Sequence, residues 1–260
     1  MAVVVSEPFN GLPTPPFSYS RRSIAFTNEK LGYVSDIAGL TPSYAWLAFH
    51  TFCMSLITSV LVRGINNLSD ARYCAGMGAD YLTFRLDPAL PGYLEPAAVQ
   101  ELSGWVAGVQ LVGEFSTLPV DEINALAEQC GLHYILLHRA RPAQELSRLT
   151  RPVLQLAEWI PDMLPEDVDL RFRQLVANTR GIVLADVPPA PLTGVQRAHL
   201  SEQARSYPVW LAAGFAEGIS LRELLQQVHV AGIVLEGGQE IKPGLRDFDE
   251  MEKVFEALED

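Results

Sequence analysis

Between residues 56 and 258, short apolar runs alternate with stretches of helical spacing. The runs are 56–62 (LITSVLV), 80–84 (DYLTF), 108–115 (GVQLVGEF), 133–138 (HYILLH), 152–157 (PVLQLA), 181–185 (GIVLA), 208–212 (PVWLA) and 231–235 (AGIVL), eight in all. After a turn with Gly, Asp or Pro comes a helical segment, such as 68–77, 119–130 or 221–228. The last, 247–258, puts Phe248, Met251, Phe255 and Leu258 on one stripe behind Asp247 as N-cap, a pattern that ordinary core packing explains. Strands apolar on both faces and alternating with helices predict a parallel sheet, because parallel strands need crossovers that cover them. Eight such units between residues 54 and 260 predict an α/β fold, a small (β/α)8 TIM barrel. A doubly wound open sheet is the alternative, but no GxGxxG follows any of the runs.

Residues 1–53 break this pattern. They hold five prolines, three cations (Arg21, Arg22, Lys30) and three anions (Glu7, Glu29, Asp36), with neither helical periodicity nor clean alternation. They are expected to form an irregular or disordered extension to a barrel at 54–260. One reading makes Met54 the true initiator, with everything before it a mis-assigned extension. From Tyr44 to Val62 no residue is formally charged and the length just suffices for a bilayer. His50, Thr51, Ser55, Thr58 and Ser59 dilute that stretch, and its end fits a β-branched strand better, so a membrane anchor is the minor reading. A secretory signal fits less well, for want of a charged segment just before the apolar stretch.

Composition narrows the function classes. The chain has 260 residues, 48% hydrophobic and 19% charged, enough for a sizeable core. The formal charge of −12 falls wholly on residues 54–260, leaving no cationic excess for phosphates along a duplex, so a nucleic-acid partner is not expected. Cys53, Cys74 and Cys130 form no CxxC pair and have no His cluster nearby, which argues against a disulfide framework and a zinc site and fits a reducing cytoplasm. No metal or other cofactor is expected, and the oligomeric state is open.

In such a barrel the chemistry sits at the C-terminal ends of the strands. That selects Arg63, Arg85, Glu114, His138, Arg139, Glu158, Asp186, Gly214 and the Glu236-Gly237-Gly238 turn. Each has a bland counterpart: a strand-end charge is often a solvated rim position, a histidine often structural, and a glycine often needed only for a tight turn.

The run 61–84 (LVRGINNLSDARYCAGMGADYLTF) resembles the opening of the phosphoribosylanthranilate isomerase family, whose Lys-Ile-Cys-Gly-Ile-Thr leads to a helix starting Asp-Ala and then to Gly-Ala-Asp and Gly-Phe; Gly64, Ile65, Asp70, Ala71, Gly78, Ala79, Asp80 and Phe84 match. The segments LPGYLEPAAV, VGEF, LLHR and VWLAAGF are similar to the family's Ser-Pro-Arg-Tyr-Val loop and its third, fourth and seventh strands, and 232–258 to its Ser-Ser-Gly-Val-Glu and Pro-Gly-Val-Lys-Asp close. The resemblance covers 56–258 in order. It implies tryptophan biosynthesis and an Amadori rearrangement of N-(5′-phosphoribosyl)anthranilate, with a general acid on the ring oxygen and a general base at C2.

The resemblance puts the family's catalytic Cys, the base, at Arg63, and a guanidinium accepts no proton at neutral pH. It puts the acid at Asp186, the Arg that holds the anthranilate carboxylate at Gly92, and the phosphate turns at Gly214 and at Gly237 and Gly238 beside Glu236. Three readings follow. The first is an isomerase with His138 as substitute base. The second is a non-catalytic barrel that binds an anionic metabolite or a partner protein, with Arg63 and Asp186 ion-paired across the mouth. The third is an enzyme with altered chemistry in which Arg63, Arg85 and Arg139 hold a small phosphorylated or carboxylate metabolite.

Overall fold

Successive side chains on a strand point to opposite faces, so runs apolar at every position must be covered on both sides. The computed structural model, which describes residues 56–160, 163–237, 240–242, 245–246 and 248–260, meets this demand with a closed barrel. Its strands are β1 (Ser59–Arg63), β2 (Tyr81–Arg85), β3 (Gln110–Phe115), β4 (Tyr134–Leu137), β5 (Val153–Leu156), β6 (Gly181–Leu184), β7 (Val209–Ala212) and β8 (Gly232–Glu236). Neighbours in sequence pair in parallel, and β8 closes on β1. Each strand lies within or beside one of the eight apolar runs, and Arg63, Arg85 and Glu236 extend the first, second and last by a residue.

The crossovers are α1 (Leu68–Gly76), α2 (Pro96–Ser103), α3 (Val120–Gln129), α4 (Ala143–Leu146), α5 (Pro165–Val176), α6 (Gly194–Ser206) and α7 (Leu221–Gln227), and α8 (Asp249–Leu258) follows β8. Asn67 caps α1 by accepting the Asp70 N–H at 2.9 Å, while Thr193 with Gln196 and Ser220 with Glu223 form reciprocal capping boxes on α6 and α7. Before α8 the cap position is held by Phe248 without a side-chain bond; the expected cap, Asp247, lies outside the described residues, as do the boundary at 53/54, Met54 and Gly238. Met251, Phe255 and Leu258 of the α8 stripe are buried. Two short antiparallel strands, β9 (Glu240–Lys242) and β10 (Leu245–Arg246), intervene between β8 and α8 and were not expected from the periodicity. Among the described residues no helix is long and apolar enough to cross a membrane, and the last residues of the 44–62 stretch form β1.

Side chains on the outer strand face, among them Val60, Val62, Leu82, Phe84, Ile135 and Leu137, are buried in the layer shared with the helices. Leu61, Val112, Leu136, Leu154, Val183, Trp210 and Val234 fill the barrel axis as a separate cluster. Tyr81 meets Tyr134 and Trp210 edge-on, with centroids 5.5 and 5.1 Å apart, so the lumen is packed with side chains, not open.

Candidate functional site at the barrel mouth

The two-residue period of a strand carries the axis-facing set toward the C-terminal mouth. Two residues beyond Leu61, Val112, Leu136 and Val234 stand Arg63, Glu114, His138 and Glu236, and Arg85 stands two beyond Thr83. Register then sets the neighbours: Arg63 lies directly across from Glu236 on β8, and Arg85 from Glu114 on β3. Opposite charges therefore face each other in two cross-strand pairs.

The side chains join these pairs into one network. Arg63 donates through Nη2 and Nε to the two oxygens of Glu114, at 2.8 and 3.3 Å, and through Nη1 to Glu236 Oε1 at 2.7 Å. Arg85 donates through Nη2 to Glu236 Oε2 at 3.2 Å and through Nη1 to the Pro91 carbonyl at 3.0 Å, with its Nε 3.8 Å from Glu114 Oε2. The Thr83 hydroxyl donates to Glu114 Oε1 and accepts the Gly64 N–H at 2.9 Å. His138 Nε2 lies 2.7 Å from Glu114 Oε2.

Protonation follows from these contacts. Burial pushes the Glu114 carboxyl up, but the His138 hydrogen bond, the charge and hydrogen bond of Arg63 and the Thr83 hydroxyl hold it well below the usual carboxylate range. Glu114 is thus an ionised acceptor, and the His138 nitrogen that faces it, Nε2, carries a hydrogen. The approach of Arg63 Nη2 to His138 Nε2 at 3.5 Å is then a contact between two donors. Burial pulls the Arg63 guanidinium down, and Glu114, Glu236 and the more distant Asp186 reverse this to leave it above its ordinary value. The Glu236 carboxyl is pushed up by burial, with Glu114 adding to the effect against Arg63, Arg85 and His138.

The expected pairing of Arg63 with Asp186 needs correction. Closure of the barrel sets β8 beside β1, so Arg63 pairs with Glu236 and with Glu114, while Asp186 stands exposed just past β6. Arg139 is also exposed, one residue beyond His138. Gly214 lies in a 3₁₀ turn, Ala213–Ala216, after β7, and a Cβ there would come within 2.6 Å of Val187 from the loop after β6. The Gly237 N–H already donates to the Arg63 carbonyl at 2.6 Å, continuing the β1–β8 ladder. Gly64 and Gly92 have positive φ of 68° and 77°, and a Cβ on either would lie 3.0 or 3.2 Å from the Arg85 guanidinium, so both glycines seat it.

Thr83 and Asp87 were not singled out from sequence. Thr83 carries no chemical signal of its own, though its two-residue spacing from Arg85 puts it on the same face. Asp87, buried just past β2, accepts N–H bonds from Ala89, Ser116, Thr117 and Leu118 at 2.6–3.1 Å and clamps the loop after β3. Burial pushes its carboxyl up, but these four donors bring it down to about 2. Among the described residues no three His, Cys, Asp or Glu side chains converge as metal ligands.

Comparison with known proteins agrees with this architecture. The family model described as N-(5'phosphoribosyl)anthranilate (PRA) isomerase matches residues 60–257. The N-(5'-phosphoribosyl)anthranilate isomerase of Synechococcus sp. (strain JA-2-3B'a(2-13)) is 27% identical over 219 residues, covering 76% of this chain and 89% of that protein. The crystal structure of phosphoribosyl anthranilate isomerase from Thermus thermophilus superposes with a TM-score of 0.62 at 23% identity, over 77% of this chain and 98% of that one. A second such isomerase, crystallised with reduced 1-(o-carboxyphenylamino)-1-deoxyribulose 5-phosphate, gives a TM-score of 0.61 at 20% identity over the same shares. With the barrel, its closure and most of the chain accounted for, the chain belongs to the N-(5'-phosphoribosyl)anthranilate isomerase family.

Proposed function

We propose that this chain is a phosphoribosylanthranilate isomerase-like barrel, derived from tryptophan-biosynthesis enzymes, that has given up the Amadori isomerisation and keeps a mouth for an anionic metabolite. The observation that carries this reading is Arg63. At the place where the resemblance puts the base, it is 5% exposed and fixed between Glu114 and Glu236. A guanidinium held by two carboxylates cannot take the C2 proton, and a missing general base costs roughly 10²- to 10⁴-fold in rate. At the turns where the resemblance puts the phosphate, the Gly237 N–H is bonded to the Arg63 carbonyl, and Val187 lies against Gly214.

The test is the fluorescence assay of isomerisation, with N-(5′-phosphoribosyl)anthranilate generated in situ. The expected result is no turnover by the unaltered chain and a detectable gain in Arg63→Cys; turnover by the unaltered chain would overturn the reading.

One observation favours a second reading, an isomerase with a relocated base. The bond from His138 Nε2 to Glu114 orients the ring, and a neutral imidazole held this way would present Nδ1 as the proton acceptor, a carboxylate-oriented histidine of the kind that serves as general base. On that reading the unaltered chain turns over, with Asp186 as the acid, and His138→Ala abolishes activity.

A further inference from the structure

The mouth network is layered by depth. Glu114 is fully buried and already satisfies the Arg63 Nε and Nη2 groups, whereas the Glu236 side chain is 53% exposed. Glu236 also has an unusual pair of partners: one of its oxygens takes a hydrogen from Arg63 and the other from Arg85. Arg85 in turn is held from behind by Gly64, Gly92 and the Pro91 carbonyl. Two fixed guanidinium edges thus converge from β1 and β2 on one planar carboxylate, and that carboxylate belongs to the most solvent-accessible member of the set.

We infer that Arg63 and Arg85 form a receptor for a monocarboxylate, filled by Glu236 in the free protein and by the carboxylate of a small metabolite when that metabolite displaces it. The inference rests on the reading of Arg63 as a fixed cation and not a base.

Charge selects the ligand class. Glu114 neutralises one of the two arginines permanently, so the receptor offers a single positive charge to whatever occupies the place of Glu236. A carboxylate balances that charge with one oxygen for each arginine. A phosphate dianion leaves a surplus negative charge facing buried Glu114, and like charges at this range repel. The site therefore favours a monocarboxylate over phosphate, and Glu236 sets its affinity by competing for the same donors.

The experiment is a calorimetric titration of the full chain with benzoate, acetate and inorganic phosphate. It compares the unaltered protein with Glu236→Gln, Glu236→Ala and, as a charge control, Glu122→Gln on the exposed face of α3. The expected result is benzoate binding tightened by about tenfold or more in both Glu236 variants, unchanged in Glu122→Gln, and lost when Arg85→Met is added to Glu236→Gln. Glu236→Gln preserves shape, so the comparison survives if the alanine variant fails to fold. Equal benzoate affinity in the unaltered chain and Glu236→Gln, or no binding to either, overturns the receptor. A gain for phosphate as large as that for benzoate overturns the assignment to carboxylates. Isomerase turnover would refute the loss of the reaction yet leave this equilibrium measurement standing, so the two failures can be told apart.

Discussion

Arg63 shows how one residue changes the physics of a whole site. A buried guanidinium demands a buried partner, and Glu114 supplies it from two strands away. Such pairs seldom add net stability, because desolvating two charges offsets their attraction, but breaking one leaves an uncompensated charge in the interior. Glu114→Ala should therefore lower stability in urea by about 3–5 kcal/mol, while the paired change Arg63→Met with Glu114→Leu should cost little or even stabilise. If the double variant is as damaged as the single one, the network is needed for folding itself. The charged strand-end residues were legible in the sequence because position alone selects them. Their partners were not: a run of letters shows that Arg63 and Asp186 both end strands, but not which carboxylate lies within reach.

At the scale of elements, apolar periodicity located all eight barrel strands, since a segment buried on both faces must be apolar throughout. It did not reveal β9 and β10, which are three and two residues long and too short to show a period. Nor did it reveal why β8 begins with glycine. A Cβ on Gly232 would run into the Trp210 ring and approach the Ser59 carbonyl to 2.6 Å, so the indole occupies the space that a side chain would need. Gly232→Ala should push Trp210 off the Tyr81 ring and lower stability by about 1–3 kcal/mol, seen as a lower melting temperature together with a changed tryptophan emission. An unchanged melting temperature would mean that the barrel floor has room the packing does not show.

The whole molecule should lose stability in acid, and the sign follows from its depressed carboxylates. Asp87, at about 2 when folded against roughly 3.9 when unfolded, contributes about 2–3 kcal/mol above the unfolded value, and this is lost as pH falls toward 2. Glu114, also held low, adds in the same direction. Glu236 is held high and acts oppositely, its contribution fading as pH rises through its folded value. Urea midpoints should therefore drop between pH 5 and pH 2, and Asp87→Asn should flatten that drop while lowering the midpoint at pH 7; a slope left unchanged in Asp87→Asn would remove Asp87 from this account. The sequence by itself determined the eight repeating units, the barrel they build and the placing of Arg63 at a strand end, because alternation and burial are local properties written residue by residue. Only the tertiary structure decided that Arg63 meets Glu114 and Glu236, that Arg85 lies between two glycines and that His138 turns Nε2 toward a carboxylate. Those contacts depend on the closure of β8 against β1 and on the register across neighbouring strands, which join residues up to 173 positions apart.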